Sequence, residues 1–460
     1  MKNVKRFLSL GIAAAMTLSL AACGGSSSSA QSGSDNAADT STAAAATADV
    51  EKVENDGNYD ECTIKFSWWG GDSRHEATQA AVKAFMEKYP GINVEVNFGA
   101  WSDWEAARAL EFQSGTAADV NQINQSWINE FDGDGSVFVD LNTLSEIIDL
   151  SQYSADSLAM MEDVKGGIAG VPVALTGRTF YWDKTTFEEA GIDVPKSLEE
   201  LRAAGKTFKE KLGDDYYPLA LGELDRAIFM TFYLQAKYEK PIIDNGKLNV
   251  TVEELKDGLD FIMSLEEDHV IPSIKVIDGD AAASLDQNPK FIDGRYAGIL
   301  EWDSAPLKYK NALAEGREFV VGDEFTDLGG NGKTGVFTKA SLGFAVSSTS
   351  EHPKEAAMLI EYLCNDPEGA VIMGSERGIP ESKAGYEAVS AAGGIDATIE
   401  EAHNKVMGAA EYPEDPYFES NDLKGSEGTY KYVFGGLSYG EFDTEEAAQE
   451  LYDGFESVCD

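Results

Sequence analysis

The sequence predicts an α/β fold, because segments with the pattern of β-strands alternate along the chain with segments with the pattern of α-helices. Residues 64–98 have the pattern of a strand–helix–strand unit, and residues 341–364 have that of a strand followed by a helix. The composition agrees, since 43% hydrophobic and 10% aromatic residues are enough for a substantial core. A chain of 460 residues is also long enough for about two domains.

The strand–helix–strand unit begins the part of the sequence that we expect to fold. Ile64, Phe66 and Trp68 alternate with polar residues, as in a strand with one buried face. Apolar residues then recur at helical spacing as far as the Pro-Gly pair at 90–91, which ends the helix, and residues 92–98 alternate again. A strand, a helix and a second strand in this order predict parallel pairing of the two strands.

Later segments continue this alternation. Ser197 and Glu200 have the spacing of a capping box at the start of a helix. The pattern predicts further helices at residues 227–234, 353–364 and 444–455, and strands at residues 120–123 and 341–347.

The amino terminus has the pattern of a secretion signal. Lys and Arg within the first six residues precede an apolar or small segment over residues 7–22, which is short for a membrane span. The segment ends in LAAC followed by two glycines, which resembles the lipobox of bacterial lipoproteins. We therefore expect a lipoprotein signal peptide over residues 1–22 and lipidation of Cys23. The alternative is an ordinary secretory signal that happens to place a cysteine there.

The segment after Cys23 has a composition that cannot form a core. It consists mainly of small and polar residues, with no aromatic residue before Tyr59. We expect residues 23–60 to form a flexible tether that lifts a folded body off the membrane. Because no later apolar run is long enough to span a bilayer, the lipid is the only membrane attachment that we expect. The predicted location is the outer face of a bacterial cytoplasmic membrane, at the cell surface.

The charge excludes several classes of partner. The chain has 36 basic and 81 acidic side chains, which gives a formal net charge of −45 at pH 7. A nucleic-acid-binding protein must meet phosphates with Lys and Arg, so we expect no nucleic-acid partner. A polybasic membrane surface is excluded for the same reason. The self-repelling charge favours a protein that stays monomeric.

The cysteines and histidines give no pattern of a metal or cofactor site. Beyond Cys23 the chain has Cys62, Cys364 and Cys459, which form no C-x-x-C pair, and a bridge from Cys459 to either of the other two remains open. The four histidines are scattered, and the acidic loop at residues 132–136 lacks the glycine of a calcium-binding loop. We expect no metal and no cofactor.

Four segments, in order along the chain, carry a resemblance to a known family. They are residues 67–78 (SWWGGDSRHEAT), residues 112–120 (FQSGTAADV), residues 170–192 with GVP, FYWDK and AGI, and residues 365–380 with NDPE and GSERGIP. On these segments the chain resembles extracellular solute-binding proteins of family 1, the carbohydrate-binding lipoproteins of ABC importers. Ala118 stands where the family usually has proline, and Trp182 and Asp183 depart from its Tyr-Asn.

The resemblance implies a two-lobed, periplasmic-binding-protein-like (type II) fold that closes on a ligand about a hinge. By analogy, the first lobe takes residues 61–173 and 318–347, and the second takes residues 174–317 and 348–460. The hinge crossings then fall at Val171-Pro172 and at residues 341–347. The implied ligand is a carbohydrate, and the aromatic residues around the matched segments favour an oligosaccharide. The other implied partners are the ABC permease and its ATPase, as separate chains.

Sugar recognition needs aromatic faces for the C–H face of a pyranose and planar polar groups for its hydroxyls. Trp69 and Trp101 follow the expected carboxyl ends of two strands, where ligands bind in open α/β sheets. The segment FIDGRYAGI at residues 291–299 resembles a strand of the family after which many members place a stacking tryptophan, here Trp302. The candidate ligand-binding residues are Trp69, Arg74, Trp101, Gln125, Trp127, Glu223, Trp302, Asp303 and Arg377.

Two other functions remain open beside capture and delivery of a carbohydrate. A surface lipoprotein of the same fold could act as a sugar sensor or adhesin without a permease. A glycan-degrading enzyme would need two positioned carboxylates, and a pair cannot be singled out among 81 acids. We therefore predict a protein that binds its ligand without catalysis.

Overall fold

The computed structural model describes residues 52–101, 104–282 and 284–459. These residues belong to one compact unit. The expected signal peptide at residues 1–22, the lipidation site Cys23 and the tether up to residue 51 lie outside the described residues. No helix among the described residues is long and apolar enough to cross a membrane.

The described residues form eleven strands and eighteen α-helices, together with four short 3₁₀ segments. The strands are β1 (Cys62–Trp69), β2 (Ile92–Gly99), β3 (Val120–Ile123), β4 (Val171–Thr176), β5 (Arg178–Asp183), β6 (Ile243–Asp244), β7 (Lys247–Leu248), β8 (Gly298–Trp302), β9 (Phe319–Val321), β10 (Phe337–Val346) and β11 (Tyr412–Pro413).

The helices are α1 (Asp72–Lys88), α2 (Trp104–Ser114), α3 (Ser126–Phe131), α4 (Ala155–Ala159), α5 (Lys184–Ala190), α6 (Leu198–Lys211), α7 (Glu223–Tyr238), α8 (Val252–Glu267), α9 (Ile274–Gly279), α10 (Pro289–Ile292), α11 (Pro306–Ala312), α12 (Pro353–Cys364), α13 (Pro367–Met373), α14 (Lys383–Ala391), α15 (Ala397–Ala409), α16 (Asn421–Lys424), α17 (Thr429–Tyr439) and α18 (Thr444–Val458).

The larger sheet has the strand order β11-β10-β3-β1-β2, and β4 pairs with β10. β1 runs parallel to β2 and β3, with Phe66 opposite Val96 and Val120, so the predicted strand–helix–strand unit is confirmed. β10 runs antiparallel to β3 and β4. The alternation in β1 places Phe66 and Trp68 in a core with α1 and α12, and both side chains are fully buried.

The smaller sheet has the antiparallel order β8-β5-β9. Its largest core cluster joins Phe180 and Trp182 of β5 to helices that include α6, α7, α8, α17 and α18. The part of the chain packed on the larger sheet, residues 52–176 with 337–391, is called the first body below. The part packed on the smaller sheet, residues 178–336 with 397–459, is called the second body, and it also supplies the edge strand β11 to the larger sheet.

The chain passes between the two bodies at three places. The first is Gly177, the single residue between β4 and β5. A Cβ atom at this position would lie 2.6 Å from Val406 Cγ1 and 2.8 Å from the carbonyl oxygen of Phe337, so the close approach requires glycine. The other two places are the segment before β10 and the segment between α14 and α15. The mixed α/β architecture agrees with the predicted fold class.

Three expectations about organisation need correction. Residues 52–60, assigned to the tether, are part of the first body, where the amide of Val53 donates to the carbonyl of Thr143 over 2.8 Å. The lobe bounds are also wrong, because α12 and α13, assigned to the second lobe, pack into the core of the larger sheet. Residues 319–336, assigned to the first lobe, belong to the second body, where β9 pairs with β5. Residues 171–172 and 341–346 lie within paired strands, and the chain changes sheet at Gly177 instead.

The segment 291–299 also departs from the expected strand. Phe291 and Ile292 close the short helix α10, which Pro289 begins and Asn288 caps. Gly294 then turns the chain with φ of 84°, and the strand β8 starts only at Gly298. Trp302 is therefore the last residue of this strand.

Candidate functional site

Three tryptophans form one group at the carboxyl edge of the larger sheet. The ring centroid of Trp69 lies 5.1 Å from that of Trp101 and 5.2 Å from that of Trp127. Trp101 and Trp127 stack with centroids 6.2 Å apart. The side chain of Trp101 is 42% exposed, Trp69 is half-buried and Trp127 is fully buried. The group thus has an exposed outer ring supported from beneath.

The parallel sheet explains why these rings meet. Trp69 ends β1, Trp101 follows β2, and Trp127 lies in α3 after β3, so all three leave the same edge of neighbouring strands. The indole N–H of Trp127 donates to Glu105 Oε1 over 2.7 Å, which holds the buried ring in place. Trp127 supports the group, and Trp69 and Trp101 supply its accessible surface.

A polar network lies directly beneath the tryptophan group. The backbone carbonyl of Trp69 accepts hydrogen bonds from Gln122 Nε2 at 3.1 Å and from Arg74 Nη1 at 3.3 Å. Gln122 Oε1 accepts from Arg377 Nε at 2.8 Å, and Arg377 Nη1 donates to the hydroxyl of Thr78 at 3.0 Å. The candidates Trp69, Arg74 and Arg377 are therefore connected, through the unpredicted Gln122.

The two guanidiniums of this network form no ion pair with a carboxylate among the described residues. Arg74 donates to the backbone carbonyls of Trp69 and Glu376, and Arg377 Nη2 is buried with no hydrogen-bond partner there. Burial lowers the pKa of Arg74 to about 10. Burial, together with repulsion from Arg74, also lowers the pKa of Arg377. The carboxylate of Glu376 raises the pKa of both groups and so offsets this effect in part, although it forms no ion pair with either.

Trp302 of the second body lies against two further cations. Its ring centroid is 4.5 Å from Lys339 Nζ and 4.7 Å from the central guanidinium carbon of Arg178. Arg178 is also paired with Asp225 and donates to the carbonyl of Leu300 over 2.9 Å. The Trp302 side chain is only partly buried, so its position is fixed while part of its surface remains accessible.

Carboxylates hold these two cations in place. Burial by itself would lower the pKa of Arg178, but the carboxylates of Glu301 and Asp225 raise it. Lys339 Nζ lies 2.5 Å from Glu419 and 3.6 Å from Glu414. Burial raises the pKa of Glu414. Burial also opposes ionisation of Glu419, but the Lys339 ammonium favours it, and the pKa of Glu419 is lowered.

Two candidates make buried hydrogen bonds instead of facing solvent: Asp303 joins the two bodies, and Gln125 joins α3 to β10 within the first body. Asp303 is buried, accepts from the hydroxyl of Thr176 at 2.5 Å, and lies 2.8 Å from His403 Nδ1. The amide oxygen of Gln125, also buried, accepts from the backbone N–H of Ala340 at 3.0 Å. Their polar groups are thus engaged within the protein, and they fix the strand ends that carry the neighbouring aromatic residues.

The structure brings candidate residues of the first body and candidate residues of the second body to the junction of the two bodies. Lys339, which contacts Trp302, is opposite Thr176 in the register of β10 with β4. A Cβ atom at Gly378, next to Arg377, would lie 3.7 Å from Ser304 Cβ in the second body. Glu223 lies at the start of α7, whereas Asp225, two residues on, makes the contact with Arg178.

Sequence reasoning missed Gln122, Arg178 and Lys339. Lys339 does carry a signal, because a lysine inside a strand that is otherwise apolar or small must be paired or functional. Arg178 gives a similar signal beside the apolar FYW segment.

Aromatic rings and cations that lie near the junction of two α/β bodies are typical of a protein that binds a small solute. The model of the bacterial extracellular solute-binding protein family matches residues 71–370. The chain belongs to this family, as the resemblance predicted. Because the family is a substrate-binding one, membership agrees with the prediction of binding without catalysis.

Solved structures of similar proteins agree. A periplasmic solute binding protein from Pectobacterium atrosepticum matches with a TM-score of 0.80 and 29% identity, over 86% of this chain and 98% of that protein. A periplasmic oligogalacturonide binding protein from Yersinia enterocolitica, in complex with saturated digalacturonic acid, matches with a TM-score of 0.77 and 30% identity, over 86% and 98%. These matches confirm the periplasmic-binding-protein-like fold.

A relative matched by sequence alone is more distant. A binding protein of Brucella abortus (strain 2308) is 24% identical over 170 residues, which are 35% of this chain and 39% of the relative. The match therefore spans less than half the length of that relative.

Proposed function

We propose that this protein captures a carbohydrate between its two bodies and delivers it to an ABC importer. Within the carbohydrates, we propose oligosaccharides that contain uronic acids as the ligand class. The observation that carries the proposal is the combination of accessible indole surface with guanidiniums that form no ion pair with any carboxylate in the described part of the chain. Trp69, Trp101 and Trp302 offer the rings, and Arg74 and Arg377 offer the charge.

Each part of this combination suits one part of such a ligand. The apolar face of a pyranose packs on an indole, while hydroxyls and carboxylates accept hydrogen bonds from planar, charged donors. A chain with a formal net charge of −45 repels anions in general. Two guanidiniums that form no ion pair with a carboxylate among the described residues are therefore an informative exception, and the oligogalacturonide bound by the Yersinia enterocolitica protein supports the same ligand class.

The two-body architecture supports the proposal of delivery. A ligand that contacts both the Trp69 edge and Trp302 favours the arrangement in which both contacts are made, and so shifts the population toward a closed state. The permease and its ATPase, as separate chains, distinguish that state from the open one. Lipidation at Cys23 keeps the protein at the outer face of the cytoplasmic membrane. A sensor or adhesin would bind the same ligand without supporting its uptake.

Calorimetry on the chain without residues 1–51 tests ligand capture. Titration with neutral and uronic-acid oligosaccharides is expected to give micromolar or tighter binding for the acidic class. Trp302→Ala removes the binding, and Tyr439→Ala, which truncates a half-exposed aromatic residue elsewhere in the second body, leaves it unchanged. Absence of binding across the panel would overturn the carbohydrate proposal.

Uptake by cells tests delivery. A strain without this gene is expected to lose uptake of the ligand identified by calorimetry. The wild-type gene restores uptake and the Trp302→Ala gene does not. Undiminished uptake in the deletion strain would favour the sensor or adhesin.

A further inference from the structure

A second cluster of chemically active side chains lies at the opposite edge of the larger sheet. Cys62 begins β1, His352 precedes α12, and Glu355 lies in the first turn of that helix. The thiol sulfur, one imidazole nitrogen and one carboxylate oxygen all lie within 4.8 Å of one another. Since β1 runs from Cys62 to Trp69 with a rise of about 3.3 Å per residue, the cluster is roughly 23 Å from the tryptophan group.

Each of the three side chains has capacity for a further bond. Cys62 is a free cysteine and is half-buried. The structure gives the imidazole of His352 no hydrogen bond to any described residue. Glu355 is 3% exposed, and its Oε1 accepts from the backbone N–H of Asp60 over 2.8 Å, which fixes the carboxylate beside the thiol.

The surroundings of the cluster favour a cation. The carboxylates of Glu355, Asp119 and Asp60 act electrostatically on Cys62. Asp119 is held by the amide of Lys65 at 2.7 Å and the hydroxyl of Ser350 at 2.6 Å, so it cannot easily turn away. The nearest lysine on α12, Lys354, is paired with Asp56 at 2.6 Å.

We propose that Cys62, His352 and Glu355 bind one divalent metal ion of the zinc class. Sulfur, imidazole nitrogen and carboxylate oxygen are the donors that Zn²⁺ takes in proteins, at about 2.3, 2.0 and 2.1 Å. Such bonds place ligand atoms roughly 3.5 Å apart, which a side-chain movement of about 1 Å achieves from the observed triangle. The thiol proton passes to solvent as the thiolate–metal bond forms.

The triangular arrangement distinguishes a metal site from a nucleophile with its base. A catalytic relay needs contact between thiol and imidazole and between imidazole and carboxylate, with the carboxylate away from the thiol. Here the carboxylate oxygen also lies within 4.8 Å of the thiol sulfur, so the three donor atoms surround one point instead of forming a chain. A metal ion at that point links the start of β1 to the start of α12.

Metal titration of the chain without residues 1–51, after treatment with a chelator, tests the proposal. Calorimetry with Zn²⁺ is expected to show one tight site per chain. Cys62→Ser and His352→Gln each weaken it at least tenfold, and Cys459→Ser leaves it unchanged. Loading with Co²⁺ gives a thiolate-to-cobalt absorption band in the near ultraviolet, which Cys62→Ser removes and His352→Gln weakens.

Thermal unfolding distinguishes a variant that has lost the metal site from one that has lost the fold. Zn²⁺ raises the Tm of the wild type and of Cys459→Ser, but not that of His352→Gln. Binding of Zn²⁺ that neither Cys62→Ser nor His352→Gln weakens would place the ion among the surface carboxylates and overturn the proposal. Absence of a thiolate band with Co²⁺ would overturn it as well.

Discussion

Arg377 Nε donates to Gln122 Oε1 over 2.8 Å, although the two residues are 255 positions apart in the sequence. This bond ties the segment after α13 to β3, and through Gln122 to the carbonyl of Trp69. The cation is therefore fixed beneath the aromatic edge of the first body. Its burial without an ion pair to any carboxylate in residues 52–101, 104–282 and 284–459 costs stability, which is typical of a group retained for binding.

Replacing Arg377 by Met separates the binding role from the structural one. The affinity for an acidic oligosaccharide is expected to fall at least tenfold, or about 1.4 kcal/mol. The free energy of unfolding changes by less than about 2 kcal/mol, because relief of the buried charge offsets the lost bonds to Gln122 and Thr78. Calorimetry and urea unfolding measure the two effects. Unchanged affinity would remove Arg377 from the binding site.

Trp101 and Trp127 give opposite expectations, although their rings stack. Trp101→Ala weakens ligand binding and changes the free energy of unfolding by less than about 1 kcal/mol, because the ring is 42% exposed. Trp127→Ala lowers the free energy of unfolding by about 3–5 kcal/mol, because the ring is fully buried and its N–H is bonded to Glu105. Urea unfolding and calorimetry on both variants provide the comparison. Equal stability losses would contradict the assigned roles.

Glu324 predicts a pH dependence of stability. Burial raises its pKa from 4.5 to about 7, and its Oε1 is buried without a hydrogen-bond partner among the described residues. Between about pH 4.5 and pH 7 the unfolded chain releases this proton while the folded chain keeps it, so stability falls as the pH rises. The loss over this window is at most about 3 kcal/mol.

Glu324→Gln removes this contribution. Urea unfolding at pH 5 and pH 8 is expected to show a smaller decrease for the variant than for the wild type, and a more stable variant at pH 8. Replacing the exposed Glu315 by Gln serves as the control and retains the wild-type decrease. If Glu324→Gln keeps that decrease too, Glu324 is ionised in the folded protein.

The sequence predicted those parts of the molecule that local pattern determines. The alternation of Ile64, Phe66 and Trp68 predicted β1 and its buried face, and the helix at residues 353–364 is observed with those bounds. The packing of α12 on the larger sheet was missed, because an apolar helix face does not specify which of two sheets it covers. The boundary between the bodies was therefore misplaced after β10.

The candidate site was predicted where residues follow strand ends, and missed where distant segments meet. Trp69 and Trp101 could be proposed because parallel strands end at one edge. The contact of Lys339 with Trp302 depends on the register of β10 with β4, which no local pattern reveals. The same holds for Cys62 and His352, which come together only when β1 and α12 pack.

The segment before β10 contains two glycines that test its close packing. Gly330 and Gly335 both have positive φ, at 71° and 65°, and both lie in the G-x-G-x-x-G pattern at residues 330–335. A Cβ atom at Gly335 would lie 2.0 Å from the carbonyl oxygen of Phe232 in α7, whereas a Cβ atom at Gly330 would meet no atom within 4 Å among the described residues beyond its own neighbours in the chain.

Gly330→Ala is expected to lower the free energy of unfolding by about 1 kcal/mol, the cost of a left-handed conformation alone. Gly335→Ala lowers it by at least about 3 kcal/mol, because α7 or the entry to β10 must also move. Urea unfolding of both variants measures the difference, and equal losses would show that this segment is not packed closely against α7.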